Sequence, residues 1–178
     1  SLTLVVSGNG DHKPELRPIL GWPGGKSLMV KKLLPILPAH DVYVEPFVGG
    51  GSLFFAKPLA PKANVISDID PQLVGFYKNV SCPMVKACVK VKPTIPERRR
   101  RIERFQHGSR DACDFLMANR FSVNRNMKNV YLRESEHGPW GQNRASKCSD
   151  YTAKLRAATI KRGDFRDVAR EHDSPTTL

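Results

Sequence analysis

Two short apolar runs, each closed by turn residues at its carboxyl end, constrain the fold most. DVYVEPFV (41–48) has the alternation of a strand and stops at Glu45-Pro46, because proline has no N–H to give to an interior ladder. Gly49-Gly50-Gly51 make a turn, and the apolar SLFFA (52–56) after them reads as helix. NVISDID (64–70) is a second short strand with acids at its end. PQLVGFYKNV (71–80) opens with proline at a helix's first position and sets Leu73, Phe76, Tyr77 and Val80 on one side. Strand, turn, helix, strand and helix in this order form a βαβα unit, so an α/β protein with a parallel sheet is predicted.

The rest of the chain is organised around that unit. Its 178 residues allow one domain, or a core with a smaller inserted lobe, and 40% hydrophobic with 26% charged residues suits a soluble globular protein. SLMVKKLLPIL (27–37) predicts a helix capped by Ser27, with Leu28, Val30, Leu33, Leu34 and Leu37 near one face. From Cys82 to Ser149 the texture turns charged and irregular. Helices are predicted over 96–105 and 110–121, and 122–144 reads as a long loop or small hairpin, a length that is uncommon unless it binds something. Residues 149–165 suggest a helix leading into a strand near Ala158–Ile160, then a loop at Gly163, Asp164 and Phe165. The expected division is an N-terminal extension (1–18), an α/β core (19–81 and 150–178) and a basic lobe (82–149).

Charge follows that division. The net charge is +12, but residues 1–85 contribute +2, residues 86–156 contribute +10 and the remainder contributes zero. Basic charge confined to one segment resembles an electrostatic footprint for phosphates, so the middle is expected to face nucleic acid. Cys82, Cys88, Cys113 and Cys148 lack the close pairs of a zinc site and are too sparse for a stapled secreted scaffold. Reduced structural thiols, no metal and a cytoplasmic setting are expected. The N-terminal segment has a short apolar run and no basic flank, unlike a signal peptide, and no membrane segment is read.

The sharpest chemical signal is EPFVGGGSLFF (45–55) with Asp68 at the end of the next strand, 23 positions after Glu45. A glycine turn at a strand's carboxyl edge lets backbone approach a nucleoside, and an acid ending the adjacent strand can accept both ribose hydroxyl protons. Position 54 is Phe, so the run is not GxGxxG and a pyrophosphate ligand is disfavoured. The bland alternative is a tight turn with an acidic helix cap. GWPGGKS (21–27) is not a P-loop, because Leu20 stands where the first glycine would be; a nucleoside triphosphatase is the weaker reading.

Taken in order and spacing, ILGWPGGKSLMVKKLLPILP, YVEPFVGGGSLFF and VISDIDPQLVGFYKNV resemble the opening of the DNA adenine methyltransferase (Dam-like) family. The resemblance runs from about Ile19 to Phe165 and is weakest between 82 and 150. It implies a partial Rossmann-like sheet that binds S-adenosylmethionine, with an inserted, mostly helical target-recognition lobe that binds double-stranded DNA. Trp22 and Lys26 match the family's cofactor-contacting segment, with Lys26 near the methionine carboxylate. Glu45, Phe47, Gly49 and Gly51 match the glycine-turn motif, with Glu45 accepting from the ammonium. Core packing is an equal reading for Phe47. Asp68 matches the ribose-binding acid, and Asp164 and Phe165 match a segment that meets the adenine.

In the lobe, FLMANRFSVNRNMKNVYLRE resembles the family's LNR segment and the stretch beyond it. The implied DNA-binding residues are Arg120, Asn124, Arg125, Lys128, Tyr131 and Arg133; Tyr131 or Trp140 suits stacking or wedging. The family's glycine-containing turn is replaced here by Arg125-Asn126-Met127. The run Arg98–Arg101 reads as a helix face touching phosphates. The family draws the adenine amine's lone pair and stacks the flipped base with DPPY, but no Pro-Pro occurs in this chain, and Asp70-Pro71 is no substitute. The reading is the N-terminal portion of an adenine methyltransferase, completed by a segment carrying DPPY and inactive alone. The alternative is a non-catalytic methyltransferase-like module that binds nucleic acid.

Overall fold

The computed structural model describes residues 13–89, 94–122, 125–129 and 142–178. Asn124, Tyr131, Arg133 and Trp140 lie outside these residues. Three parallel strands, β1 (Val42–Glu45), β2 (Ala63–Asp68) and β3 (Thr159–Arg162), lie in the order β1-β2-β3. β2 is buried from Asn64 to Ser67, as expected of a central parallel strand covered on both faces. Glu45 pairs with Ile66, so β2 runs two residues further and carries Asp68 level with the turn beyond β1. The other edge of β1 takes the end of the chain: Leu178 N–H donates to the Val42 carbonyl at 2.9 Å, and Thr177 forms a parallel bridge with Val42.

The predicted βαβα unit is present. α2 (Ser52–Ala56) follows the glycine turn, and α3 (Pro71–Asn79) starts at proline with the Asp70 carboxylate accepting from the backbone N–H groups of Gln72 and Leu73. The helix predicted over 27–37 is broken instead. A 3-10 turn (Lys26–Leu28), α1 (Val30–Leu33) and a second 3-10 turn (Leu34–Ile36) replace it, because Pro35 lacks the N–H a continuous helix needs. Ser27 caps nothing; its hydroxyl lies 3.3 Å from that of Ser52. Of the five apolar positions only Val30 is buried, and Leu28 is 93% exposed.

Between α3 and β3 the chain forms α4 (Cys82–Val89), α5 (Ile95–Gln106), α6 (Ala112–Phe121), α7 (Gln142–Ser146) and α8 (Cys148–Arg156). Sequence periodicity gave α5 and α6 but not α4 or α7. Past β3, Asp164 caps α9 (Phe165–His172), where only a loop was expected. One cluster of buried apolar side chains joins the sheet's helices to the inserted ones, and Phe76 of α3 stacks on Phe115 of α6 with ring centroids 4.6 Å apart. Residues ahead of Ile19 are tied in as well. Glu15 and Leu16 donate to the carbonyls of Ala56 and Phe55, and the Lys154 ammonium sits 2.6 Å from Glu15.

Two features of α4–α6 depart from expectation. Cys88 and Cys113 form a disulfide, so these two are not reduced thiols; α4 and α6 pack together and bring their Cα atoms to 5.6 Å, which a separation of 25 in sequence does not reveal. Cys82 and Cys148 are free. The arginine run also divides by helix face. Arg98 is buried with its guanidinium 4.3 Å from the Phe121 ring centroid, and Arg101 lies 3.0 Å from the fully buried carboxylate of Asp114, leaving Arg99 and Arg100 exposed. Asp114 also holds Arg104 at 3.0 Å and accepts from the Ser109 hydroxyl. No helix among the described residues is long and apolar enough to cross a membrane.

Peptide mapping without reduction is expected to recover Cys88 and Cys113 in one linked fragment. Reduction should lower unfolding stability by about 3 kcal/mol in urea titrations, the loop-closure contribution of a cross-link of this span. Asp114→Ala leaves two arginines without their buried partner and is expected to cost about 3 kcal/mol in the same assay, while Arg99→Ala should change little.

Candidate cofactor site

The carboxyl ends of β1 and β2 meet at the glycine turn. Gly49 has φ +48°, the left-handed region, and an added Cβ would stand 2.8 Å from Cδ1 of Trp22. A Cβ on Gly50 would stand 2.6 Å from the Leu20 carbonyl oxygen. The turn is therefore bare because the Trp22 segment lies directly upon it. Asp68 fixes it from the other side: Oδ2 accepts from Gly49 N–H at 3.1 Å while Oδ1 accepts from Asp70 N–H at 3.1 Å. Tyr77, fully buried in α3, donates its hydroxyl to the Gly49 carbonyl; burial and the nearby Glu45 and Asp68 push its pKa far up, so it stays a donor.

These elements enclose an open crevice of about 320 Å³ whose walls include Trp22, Lys26, Glu45, Phe47, Gly49 and Asp68. Those are the sequence-derived candidates for the donor's sulfonium, amino-acid and ribose ends, brought to one place. Gly51 is not on the wall; it turns the chain at φ +74°, and an added Cβ would strike the Phe55 ring at 2.5 Å. Phe47 is 59% exposed and is no core residue. Its ring centroid lies 4.9 Å from that of Phe165, which is also exposed, at the rim of the crevice. Asp164 is turned to local use: it caps α9 and grips both Nε and Nη2 of Arg166, and that guanidinium holds its carboxyl below the usual range.

Glu45 carries the unusual electrostatics. It is 5% exposed, and its Oε2 accepts from Tyr43 O–H at 2.9 Å and from Phe54 N–H at 3.1 Å. Oε1 lies 3.7 Å from the Lys26 ammonium, whose side chain is half exposed. Burial raises the Glu45 pKa, outweighing the hydrogen bonds and Lys26, which lower it. An ion pair at a crevice wall, one partner buried and the other half exposed, has the charge pattern to hold an amino-acid zwitterion: ammonium on Glu45 and carboxylate on Lys26.

A second cleft, about 390 Å³, shares Trp22 with the first and is walled on its far side by Asp70, Gln72, Arg125 and Lys128. Lys128 is exposed and Arg120 half-buried. Arg125 turns inward, its Nη1 donating to the carbonyls of Asn119 and Arg120 at 3.1 Å each. Sequence reasoning missed two contributors. Tyr77 was read only as a core position of α3. Asn119, whose Nδ2 donates to the Gly21 carbonyl at 2.7 Å, lay inside the LNR-like segment without a role.

A parallel sheet with a glycine turn and an acid at adjacent strand ends defines an α/β protein with an open crevice at the carboxyl edge of its sheet. Residues 22–177 match the D12 class N6 adenine-specific DNA methyltransferases, and the chain belongs to that family. It is 32% identical over 118 residues to a DNA adenine methylase of Vibrio cholerae serotype O1, covering 61% of this chain and 42% of that protein. Similarity to the type II methyltransferase M1.LlaDCHI of Lactococcus lactis subsp. cremoris is 37% over 70 residues, 39% of this chain and 24% of the relative. A DNA adenine methylase of Serratia marcescens is 39% identical over 64 residues, 36% and 23% of the two chains. The matched stretches thus span less than half the length of these curated relatives.

Because the folded-state pKa of Glu45 lies above its ordinary 4.5, its contribution to stability is fully present below that value and is lost as pH rises through the raised one. Glu45→Gln keeps an oxygen acceptor and removes the buried charge. It is expected to melt no lower than the parent at pH 7, and melts followed from pH 4 to 8 should show a smaller fall for the variant.

Proposed function

We propose that this chain is the cofactor-binding and target-recognition portion of a DNA adenine methyltransferase that uses S-adenosylmethionine and double-stranded DNA. One observation carries the reading: the Asp68 carboxylate at the end of β2 accepts from the backbone N–H of Gly49, in the turn beyond β1, at 3.1 Å on the wall of an open crevice. When bound, the donor supplies an electrophilic methyl group. Lys26 and Glu45 would hold its amino-acid end, Asp68 has acceptor lone pairs left for ribose hydroxyls, and the exposed Phe47 and Phe165 rings suit a flat adenine. Trp22 and the bare glycine backbone would exclude water from the space between.

The reaction in the whole protein passes a methyl to the exocyclic amine of a flipped adenine by direct displacement, which requires acceptors for the amine's protons and a stacking wall. The family's DPPY would supply both, and this chain contains no Pro-Pro. The edge of β1 along which residues 176–178 pair is where such a segment would lie, next to Glu45. The lobe's exposed cations, Arg99, Arg100, Arg110 and Lys128, suit phosphate. The non-catalytic reading differs only in lacking the cofactor.

Isothermal titration with S-adenosylmethionine tests this. Saturable binding is expected, with Asp68→Ala weakening it about thirtyfold and Glu45→Gln about tenfold, the scale of losing hydrogen bonds to a charged group. No heat, or heat indifferent to Asp68, would leave only a nucleic-acid-binding module. With DNA present, the 178-residue chain is expected to incorporate no methyl group until a DPPY-bearing segment is supplied.

A further inference from the structure

Arg125 is held at a cost. It sits at φ +60°, the left-handed region that costs a non-glycine residue about 1 kcal/mol. Its side chain turns back onto the protein and is half-buried. Nη1 is spent on the last carbonyls of α6, those of Asn119 and Arg120. Its stem lies over Gly21, where an added Cβ would stand 2.9 Å from Nε. The Gly21 carbonyl is in turn held by Asn119. Gly21 leads directly to Trp22, whose ring rests on Gly49, and Gly49 is bound to Asp68. An unbroken series of contacts therefore runs from the end of α6 through Arg125, Gly21 and Trp22 to the glycine turn.

We propose that Arg125 is a positioning residue that latches the recognition turn onto the Gly21-Trp22 segment, so that a DNA phosphate engaging the lobe tightens the cofactor crevice. The inference rests on the function proposed above and adds a link between its two sites. Removing the latch frees Gly21 to shift and lets Trp22 lift from Gly49. The sign of the link follows from charge. The guanidinium is half-buried, and Arg120 and Arg144 press on it with like charge. A phosphate arriving among these arginines relieves that repulsion and stabilises the latched arrangement. By linkage the effect is reciprocal: cofactor must tighten DNA by the same factor that DNA tightens cofactor.

The test uses the full 178-residue chain. S-adenosylmethionine is titrated by calorimetry with and without a short unmethylated duplex, and thermal melts are taken in parallel. Arg125→Gly removes the left-handed strain together with the latch. It is expected to melt no lower than the parent, to bind S-adenosylmethionine about tenfold more weakly, and to lose the duplex-induced tightening. Arg125→Lys, able to reach one carbonyl, should recover part of both. Gly21→Ala displaces the guanidinium from the opposite side without touching α6 and should reproduce the loss, which keeps the test intact if the glycine variant fails to fold. An Arg125→Gly chain that binds as tightly as the parent with the duplex effect intact, or a parent whose affinity ignores the duplex, overturns the latch alone. A parent that shows no saturable binding overturns the proposed function and the latch together.

Discussion

The hydrogen bond from Gly49 N–H to the Asp68 carboxylate is the contact around which the crevice is built. It joins the end of β2 to a turn that has left β1, across a gap that the sheet's own ladder does not span, because β1 stops at Glu45 opposite Ile66. Everything else at this edge is placed relative to it. Tyr77 holds the Gly49 carbonyl from below, Trp22 covers the turn from above, and Asp70, whose own N–H is held by Asp68, starts α3. A carboxylate that organises two backbone segments with one lone pair on each oxygen still has lone pairs to present outward. Structural and binding duties can therefore coexist in one residue, and neither glycine can take a side chain without moving Trp22 or Leu20.

The inserted helices handle charge in two ways. A segment with a net charge of +10 would repel itself if all its cations were solvated in one patch, yet several of them are held by partners within the fold. Asp114 gathers Arg101 and Arg104, Arg98 lies on Phe121, and Lys154 and Arg156 cap carbonyls of the core. What remains exposed is thinner than composition suggests, so the salt dependence of DNA binding should reflect the solvated cations rather than the full excess. Through Asp114 these contacts tie α6 to α5.

The legible part of the chain was the part where local pattern and tertiary role coincide. Alternation, glycine and proline placed β1, β2, α2 and α3 within a residue or two, since those signals act where they stand. Six of the nine residues put forward for the cofactor share one wall because the motifs encode backbone geometry as well as side chains. The break in 27–37 followed from a proline that periodicity outvoted. The Cys88–Cys113 disulfide, the burial of Arg98 and the inward turn of Arg125 depend on which helices meet, and nothing local reports that. The cap that Asp164 gives to α9 was likewise not announced by its motif position.

Glu45 shows why such a site resists optimisation for stability. A carboxylate with 5% exposure, set against Tyr43 and the start of α2, is opposed by burial in its charged form. Lys26 offsets this only in part, being half exposed and 3.7 Å away. A neutral amide would satisfy Tyr43 and the Phe54 N–H equally well and remove the penalty. Retaining the acid makes physical sense if a cation joins it, and the wall it faces is the one that also presents Lys26 for an anion. The pair is thus a weak internal salt bridge shaped like the two halves of a zwitterion site. Its small contribution to the fold means that, under the proposed function, the amino-acid end of the donor would displace it at little cost.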